Sequence, residues 1–520
     1  MNHSAFLKTM KNKFLKNTSW IIGGQIIKSL VGFVISILTA KYLGPSNYGI
    51  IGYVTTIITV FTALSNLGLN NIIVKELIAD REKSGQIIGT AITLQLISSA
   101  VAYFAVFGTV VVLNRNDTIM WLCALLQSGT LVLASFDHIT YYYQSRLESK
   151  YPTIISLVAY ILMQLYKVYL LVAGKSILWF AFSTTLDSAV VAICMIFTYV
   201  IHKGARWKFS LSVAKILLRQ SLPFVVSGTI SVLYSSLDKI MLKAMLGSTE
   251  SVGYYNVAYT ISHAWVFVIA AIITSFTPLI YEAHGDKANP ELYRLRARQL
   301  YCMVFWISTA ASVAIDVIAP FFIPFFYGES YIPSVIPTML LTWNIAFAYL
   351  GTVRSAQLIC EEKQKFIMIF AVTTVLLNAG MNALLIPRFE ASGAAFATIV
   401  SEFFVCILAP MFFKKTRQVS FDILRGICFR QIEFSSIWSL FKQKIFKKQT
   451  VSQAQDPTHP VQTADAALQE VPAQAAEQIH SDDPVKNSGS DVDGSDENTL
   501  QTDPADDGGA KGSENKDSEK

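Results

Sequence analysis

Lys28, Lys167, Lys239 and Arg354 stand inside long apolar runs, and so do Asp187, Asp238 and Glu402. Cations in such runs suit an anionic group that must be held away from bulk water. Carboxylates there could carry a proton or take Na⁺. Charges at membrane depth are costly and mark a pathway, a pair or a helix contact. Lys28 lies about 12–15 Å into its run at ~1.5 Å per residue, with no acid a turn away on its own helix. Lys239 lies about 10 Å, and Lys167 and Arg354 about 9 Å, from the nearest ends of theirs; for Lys167 and Arg354 snorkelling to the interface is the competing reading, and for Lys28 it is a satisfied internal pair. Asp238 and Lys239 are neighbours, and consecutive helical side chains do not face one another. The pair therefore cannot neutralise itself. Lys239 is expected toward a cavity and Asp238 toward a neighbouring helix, for which a helix carrying a lysine is a natural partner; the reverse assignment stays open. Asp187 and Glu402 lie near the middle of comparable runs, and Asp316 lies in another. Asp137 and His138 read as interfacial, and His263 as a structural hydrogen-bonder.

What holds these residues is an apolar chain. Of 520 residues 52% are hydrophobic and 15% charged, with mean hydropathy +0.44; soluble domains carry about 25% charged residues. "WIIGGQIIKSLVGFVISILTA" and "AITLQLISSAVAYFAVFGTVVVL" each reach the roughly 20 residues that cross a bilayer. The expected class is an all-α polytopic membrane protein. The run after Lys8, Lys11, Lys13 and Lys16 is too long for a signal-peptide core and has no small-residue cleavage pattern, so it reads as a retained span. Cys123, Cys194, Cys302, Cys360, Cys406 and Cys428 form no C-x-x-C pair and read as small apolar residues, with no metal site expected. "GGQIIKS" is a poor phosphate loop, because Ile27 stands where glycine must precede Lys28. No catalytic motif, cofactor site or nucleic-acid partner is expected, and no loop is large enough for a nucleotide-binding domain.

Twelve spans are expected, at about 18–41, 48–70, 86–112, 118–141, 152–173, 176–201, 220–246, 250–281, 299–326, 333–360, 364–386 and 391–413. With both ends inside, inner segments hold 29 Lys and Arg and outer ones five, Lys41, Arg115, Lys175, Lys243 and Arg388; the positive-inside rule selects that topology. The resulting organisation is a basic N-terminus at 1–17, a six-helix bundle at 18–201, a basic linker at 202–219, a second bundle at 220–413, a basic segment at 414–450 and an acidic tail at 451–520. The tail carries sixteen acids and four lysines, leaving the body at +18. Its composition cannot bury a core. The segment from 414 mixes Lys and Arg with Phe, Ile, Leu and Trp. It suits helices on an anionic inner leaflet, or equally a soluble helix docked on the bundle.

The halves begin alike. "AKYLGPSNYGIIGYVTTI" and "LKAMLGSTESVGYYNVAYTI" each read Leu-Gly, a short polar turn, Gly, then Tyr nearby. Gly44 and Gly247 suit helix C-caps in the left-handed region, and Gly49 and Gly253 open the next helices. Two structural repeats around a central cavity follow, a frequent transporter plan.

These stretches, with "SSLDKIM" and "NALLIPRFEASGAAFATIVSE", resemble the polysaccharide and oligosaccharide flippases of the multidrug/oligosaccharidyl-lipid/polysaccharide exporter superfamily, over roughly residues 10–415. The resemblance implies two six-helix bundles set as a V that opens alternately to each side. It implies transfer of a lipid-linked oligosaccharide, on an undecaprenyl-pyrophosphate carrier, from the inner to the outer leaflet of the cell membrane. It implies a role in cell-surface polysaccharide, exopolysaccharide or capsule formation beside a polymerase and glycosyltransferases. Lys28, Lys167, Lys239 and Arg354 would then line the cavity, and Asp187, Glu402 and Asp238 are the ion-coupling candidates. The rivals are a drug/cation antiporter of the same superfamily, which would favour an acidic aromatic cavity, and a membrane polymerase or glycosyltransferase, which would need a large catalytic loop.

Overall fold

The structure, a computed structural model, describes residues 3–285 and 289–428, with 3–22 and Asn71 described by backbone alone. These residues form helices and no strand. In order they are α1 (His3–Ser65), α2 (Asn70–Ala79), α3 (Ser84–Leu113), α4 (Thr118–Leu133), α5 (His138–Ser145), α6 (Lys150–Val172), α7 (Ile177–Ile201), α8 (Leu211–Leu246), α9 (Glu250–His263), α10 (Val266–Gly285), α11 (Pro290–Phe326), α12 (Val335–Cys360), α13 (Gln364–Phe403), α14 (Ala409–Phe412) and α15 (Arg417–Ile427). Among the described residues ten helical stretches are long and apolar enough to cross a membrane.

Two of the ten fold back on themselves. Gly44 interrupts α1 with φ 72°, and Ser36 Oγ lies 2.8 Å from Tyr48 Oη. Twelve residues of straight helix would span about 18 Å, so the chain reverses there. Glu390 interrupts α13 with φ 49°, and Asn378 Nδ2 donates to Thr398 Oγ1 at 3.2 Å across twenty residues. Division at the two reversals gives each stretch two arms. Gly247, at φ 68°, caps α8 as its sequence suggests.

Several boundaries differ from expectation. The first helix begins at His3, within the segment expected as a basic terminus. The linker is shorter than 202–219, because α8 starts at Leu211. Its extended part is fastened to α3: Lys208 N donates to the Gly85 carbonyl at 3.1 Å and Ser210 N to Thr90 Oγ1 at 3.0 Å. The span expected at 250–281 breaks into α9 and α10 at Ala264 and Trp265. After the last apolar arm, α15 docks on protein. Val419, Asp422 and Ile423 are buried, Arg298 grips Asp422 at 2.7 Å, and Trp306 Nε1 donates to the Ile427 carbonyl at 3.0 Å. That outcome favours docking over lipid burial for 417–427. The remainder of the 414–450 segment from 429 on, and the acidic tail, lie outside the described residues.

The apolar cores show how the halves meet. At the end marked by Gly44 and Gly247 one core joins both halves, with Leu43, Ile50 and Tyr53 packed among Leu242, Val252 and Tyr255. A second joins Ile37 and Ala40 to Val257, Ile323 and Tyr331. At the opposite, basic end there are two distinct cores. One is built on α2, α3, α5 and α7 with Leu217 of α8. The other is built on α10, α11, α12 and α15. Among the described residues the halves share cores at the Gly44 and Gly247 end, and at the basic end α8 still touches the first half, where a Cβ on Gly68 would sit 2.7 Å from the Ser221 carbonyl oxygen.

Candidate functional site

The seal is a seam of small residues from the two repeats. A Cβ on Gly49 would sit 1.8 Å from the Thr249 carbonyl oxygen, one on Gly52 1.7 Å from Asn256 Nδ2, and one on Gly253 2.2 Å from the Pro45 carbonyl oxygen. Ser46 Oγ and Thr249 Oγ1 are 3.0 Å apart. Glycine is needed at Gly49, Gly52 and Gly253 because backbone meets backbone or amide there with no space for a side chain. Beyond the seam, toward the basic end, the helices part. Thr55 and Thr59, one and two turns past Gly52, are exposed although they lie mid-helix in an apolar run.

The first half contributes a loose cluster of charges to the site. The Lys28 ammonium sits 5.7 Å from the Tyr160 ring centroid. Asp187 lies within electrostatic reach of Lys167 and Lys28, and Asp137 within reach of Lys28. These four side chains come from α1, α6, α7 and the 3₁₀ turn Ala134–Asp137 that joins α4 to α5. None closes to an ion pair among the described residues, and Asp187 Oδ1 is buried without a hydrogen bond. The sequence reading of Asp137 and His138 as interfacial is corrected: Asp137 belongs to this cluster, and His138 is fully buried with both ring nitrogens unpaired.

In the second half the arrangement is tight. Asp238 is 5% exposed. Its Oδ1 accepts from Asn382 Nδ2 at 2.7 Å, and its Oδ2 accepts from Thr398 Oγ1 at 2.8 Å and from Tyr255 Oη. Asn382 Nδ2 also donates to Asn378 Oδ1 at 3.0 Å. So Asp238 does turn to neighbouring helices, but the groups that meet it there are an amide and hydroxyls, not a lysine. Lys239 points away and places its ammonium 4.8 Å from the Tyr259 ring centroid. Carboxylate, amide and hydroxyl oxygens from three helices are the donors a hard monovalent cation takes. Asn382 Oδ1 is a buried acceptor that no donor fills.

Arg354 is the clearest departure. It is 7% exposed, stacks 4.8 Å from the Phe370 centroid and donates through Nη1 to the Val405 carbonyl. Val405 lies in a π-helical turn, Phe404–Leu408, which frees backbone carbonyls from the usual ladder. The guanidinium fills that vacancy inside a core, so it is a structural cation and does not line the cavity. Glu402 lies within electrostatic reach of Arg354 and Tyr234. Asp316 accepts from Trp343 Nε1 at 2.8 Å, which accounts for it locally. Tyr160, Tyr255, Asn378, Asn382 and Thr398 were missed from sequence. The available signal was Asn378 and Asn382 four residues apart in an apolar run, which puts two amides on one helix face.

Two helical halves packed together at one end, with charged side chains set inside the apolar helices, define a multi-pass membrane protein. The family described as "Polysaccharide biosynthesis protein" matches residues 14–284, and the chain belongs to it. Among solved structures the chain is similar to the lipid II flippase MurJ in an inward closed conformation (TM-score 0.61, 13% identity, covering 83% of this chain and 99% of that one). It is similar to an inward-facing multidrug resistance transporter of the MATE family (0.59, 15%, 81% and 96%). It is also similar to a transporter from Pyrococcus furiosus described by the reversed polarity of its binding pocket (0.54, 14%, 84% and 97%). All three share the fold. A search of curated proteins finds no match. The chain is thus a multi-pass membrane protein of a polysaccharide-biosynthesis family, with the fold that these transporters share.

Proposed function

We propose that the protein flips a lipid-linked oligosaccharide, on an undecaprenyl-pyrophosphate carrier, from the inner to the outer leaflet for assembly into cell-surface polysaccharide. Twelve arms cross the bilayer, the basic end faces the cytoplasm, and both termini lie there. The observation that supports this most is the placement of Lys28 and Lys167 about Asp187 with no ion pair closed among them, which leaves both ammonium groups able to take an added anion. A pyrophosphate entering from the basic end would meet these lysines. The glycan would occupy the hydroxyl-lined space between the halves, and the prenyl tail would stay in lipid. Parting of the seam and closure of the basic end would then release the head group outward. Polymerase and glycosyltransferases act before and after this step, and anionic lipids gather at the basic segments.

Coupling is assigned to the Asp238 site, where Na⁺ would be held by Asp238 with oxygens of Asn378, Asn382 and Thr398. The unfilled Asn382 Oδ1 supports the fit. Asp187 and Glu402 are the alternative coupling groups. Depletion of the protein should strand lipid-linked repeat units in the inner leaflet, read by their protection from an externally added glycan-modifying enzyme. Units that stay fully accessible on depletion would sink the flippase reading. A drug/cation antiporter would instead show drug sensitivity with glycan export intact.

A further inference from the structure

We infer that Lys239, Tyr259 and His263 form a separate subsite on the second half, one that takes an acidic sugar residue of the glycan; this rests on the flippase reading above. Tyr259 and His263 are one turn apart on α9, and their rings stack at 3.8 Å between centroids and 18° between planes. The Lys239 ammonium of α8 sits 4.8 Å from the Tyr259 centroid. All three residues are half-buried. Lys239 makes no hydrogen bond or ion pair among the described residues, although Asp238 stands beside it. Asp238 already accepts three bonds from other partners.

Position puts this trio in the site. Gly253 and Asn256 of α9 face the first half across the seam. Helical spacing of three and four carries that stripe on through Thr260 to His263. His263 therefore continues that stripe two to three turns past the sealed contact.

The chemistry is specific. His263 Nδ1 lies 3.1 Å from the Tyr259 carbonyl oxygen of its own helix. A carbonyl can only accept, so the bond places the ring proton on Nδ1 and leaves the Nε2 lone pair free. Nε2 is not among the buried atoms that lack a partner, so it reaches open space. The subsite offers a free ammonium for a carboxylate or phosphate, an acceptor for a hydroxyl, and a ring stack against which a sugar can lie. An oxyacid group on a hydroxylated ring satisfies all three. The same oxyacid chemistry could come from a uronic acid in the glycan or from the carrier's pyrophosphate. Lys28 and Lys167 already supply cations for the pyrophosphate, so the acidic sugar is assigned to Lys239.

The test is calorimetric titration of the purified full chain with glucuronate, glucose and inorganic pyrophosphate. The wild type should bind glucuronate more tightly than glucose. Lys239→Gln should lose that preference, by about tenfold for one lost charge-assisted bond, and Lys239→Arg should keep most of it. Pyrophosphate binding should survive Lys239→Gln and fall in Lys28→Gln. Thermal unfolding of each variant excludes misfolding. Equal binding of glucuronate and glucose by the wild type, or unchanged preference in Lys239→Gln, overturns the subsite. Loss of pyrophosphate binding in Lys239→Gln overturns the separation and gives Lys239 to the carrier. Failure of pyrophosphate to bind at all, with the glucuronate preference intact, counts against the flippase reading and leaves the acidic-sugar site standing.

Discussion

Asp187 and Asp238 are both mid-helix carboxylates, one in each half, and their surroundings are opposite. Asp238 receives three hydrogen bonds from Tyr255, Asn382 and Thr398 and is nearly closed off from solvent. Asp187 has one oxygen with no hydrogen bond and shares diffuse attraction with two lysines. A saturated carboxylate is fixed in place and can select a small cation by geometry. An under-coordinated cluster keeps its charges available to a ligand that brings its own oxygens. On the proposed reading the two halves divide the work: the second holds a built polar site, and the first leaves charges without close partners. Removing a group should therefore damage stability in the second half and transport in the first.

The strongest challenge to that division is Asp238→Leu. It leaves the donors of Tyr255, Asn382 and Thr398 without their acceptor, at about 1–3 kcal/mol for each buried group left unpaired. A large fall in thermal stability and loss of export are expected. A variant that melts like the wild type would show that the site is not built as described. Asp238→Asn keeps the shape and removes the charge, so export should persist in part while its response to Na⁺ disappears. Asp187→Asn and Glu402→Gln, assayed across pH and Na⁺ in parallel, should keep the wild-type response. If either loses it instead, coupling moves to that residue.

Lys28→Ala is the opposite case. It breaks no ion pair among the described residues, so insertion and melting should be unchanged while export falls about tenfold or more. Lys28→Arg should keep more activity than Lys28→Gln, since charge outweighs shape for pyrophosphate. A comparable loss of melting temperature in Lys28→Ala would erase the contrast with Asp238. Arg354→Ala belongs with the stability class: it should lower melting by freeing the Val405 carbonyl, and Arg354→Lys should rescue little because one ammonium cannot both stack and bond as the guanidinium does.

The seam sharpens the same comparison, because it is where the halves act on one another. Cysteines at Ser46 and Thr249, whose hydroxyls are 3.0 Å apart, should crosslink under oxidation and stop export, with recovery on reduction. Export that persists with the crosslink formed would mean the seam need not part. The smallest effect is expected beyond the helices. Cutting after residue 450 removes a segment whose composition supplies no core, and export should stay near the wild-type level. A cut before Arg417 removes the Asp422 partner of Arg298 and should lower stability modestly.

The sequence by itself determined the class. Apolar run lengths, the alternation of lysine and arginine between loops, and the paired Leu-Gly openings of the halves follow from the bilayer's thickness and surface charge, which act on each segment separately. They also gave the position of most charges along their own helices, because that is a count along one chain segment. Which charges meet was decided by tertiary structure. Arg354 and Lys28 look alike as lone cations in apolar runs, yet a π-turn fifty residues downstream captures Arg354. Asp238 looks ready for a lysine, yet its partners are the amide and hydroxyls of Asn382, Thr398 and Tyr255, residues that in sequence are merely polar. Asp137 reads as interfacial until a 3₁₀ turn brings it toward Lys28. The direction a side chain points depends on how its helix is rotated against its neighbours, and that rotation is set by the packing of the whole bundle, as at Gly49 and Gly253, where the absence of a side chain lets two backbones touch.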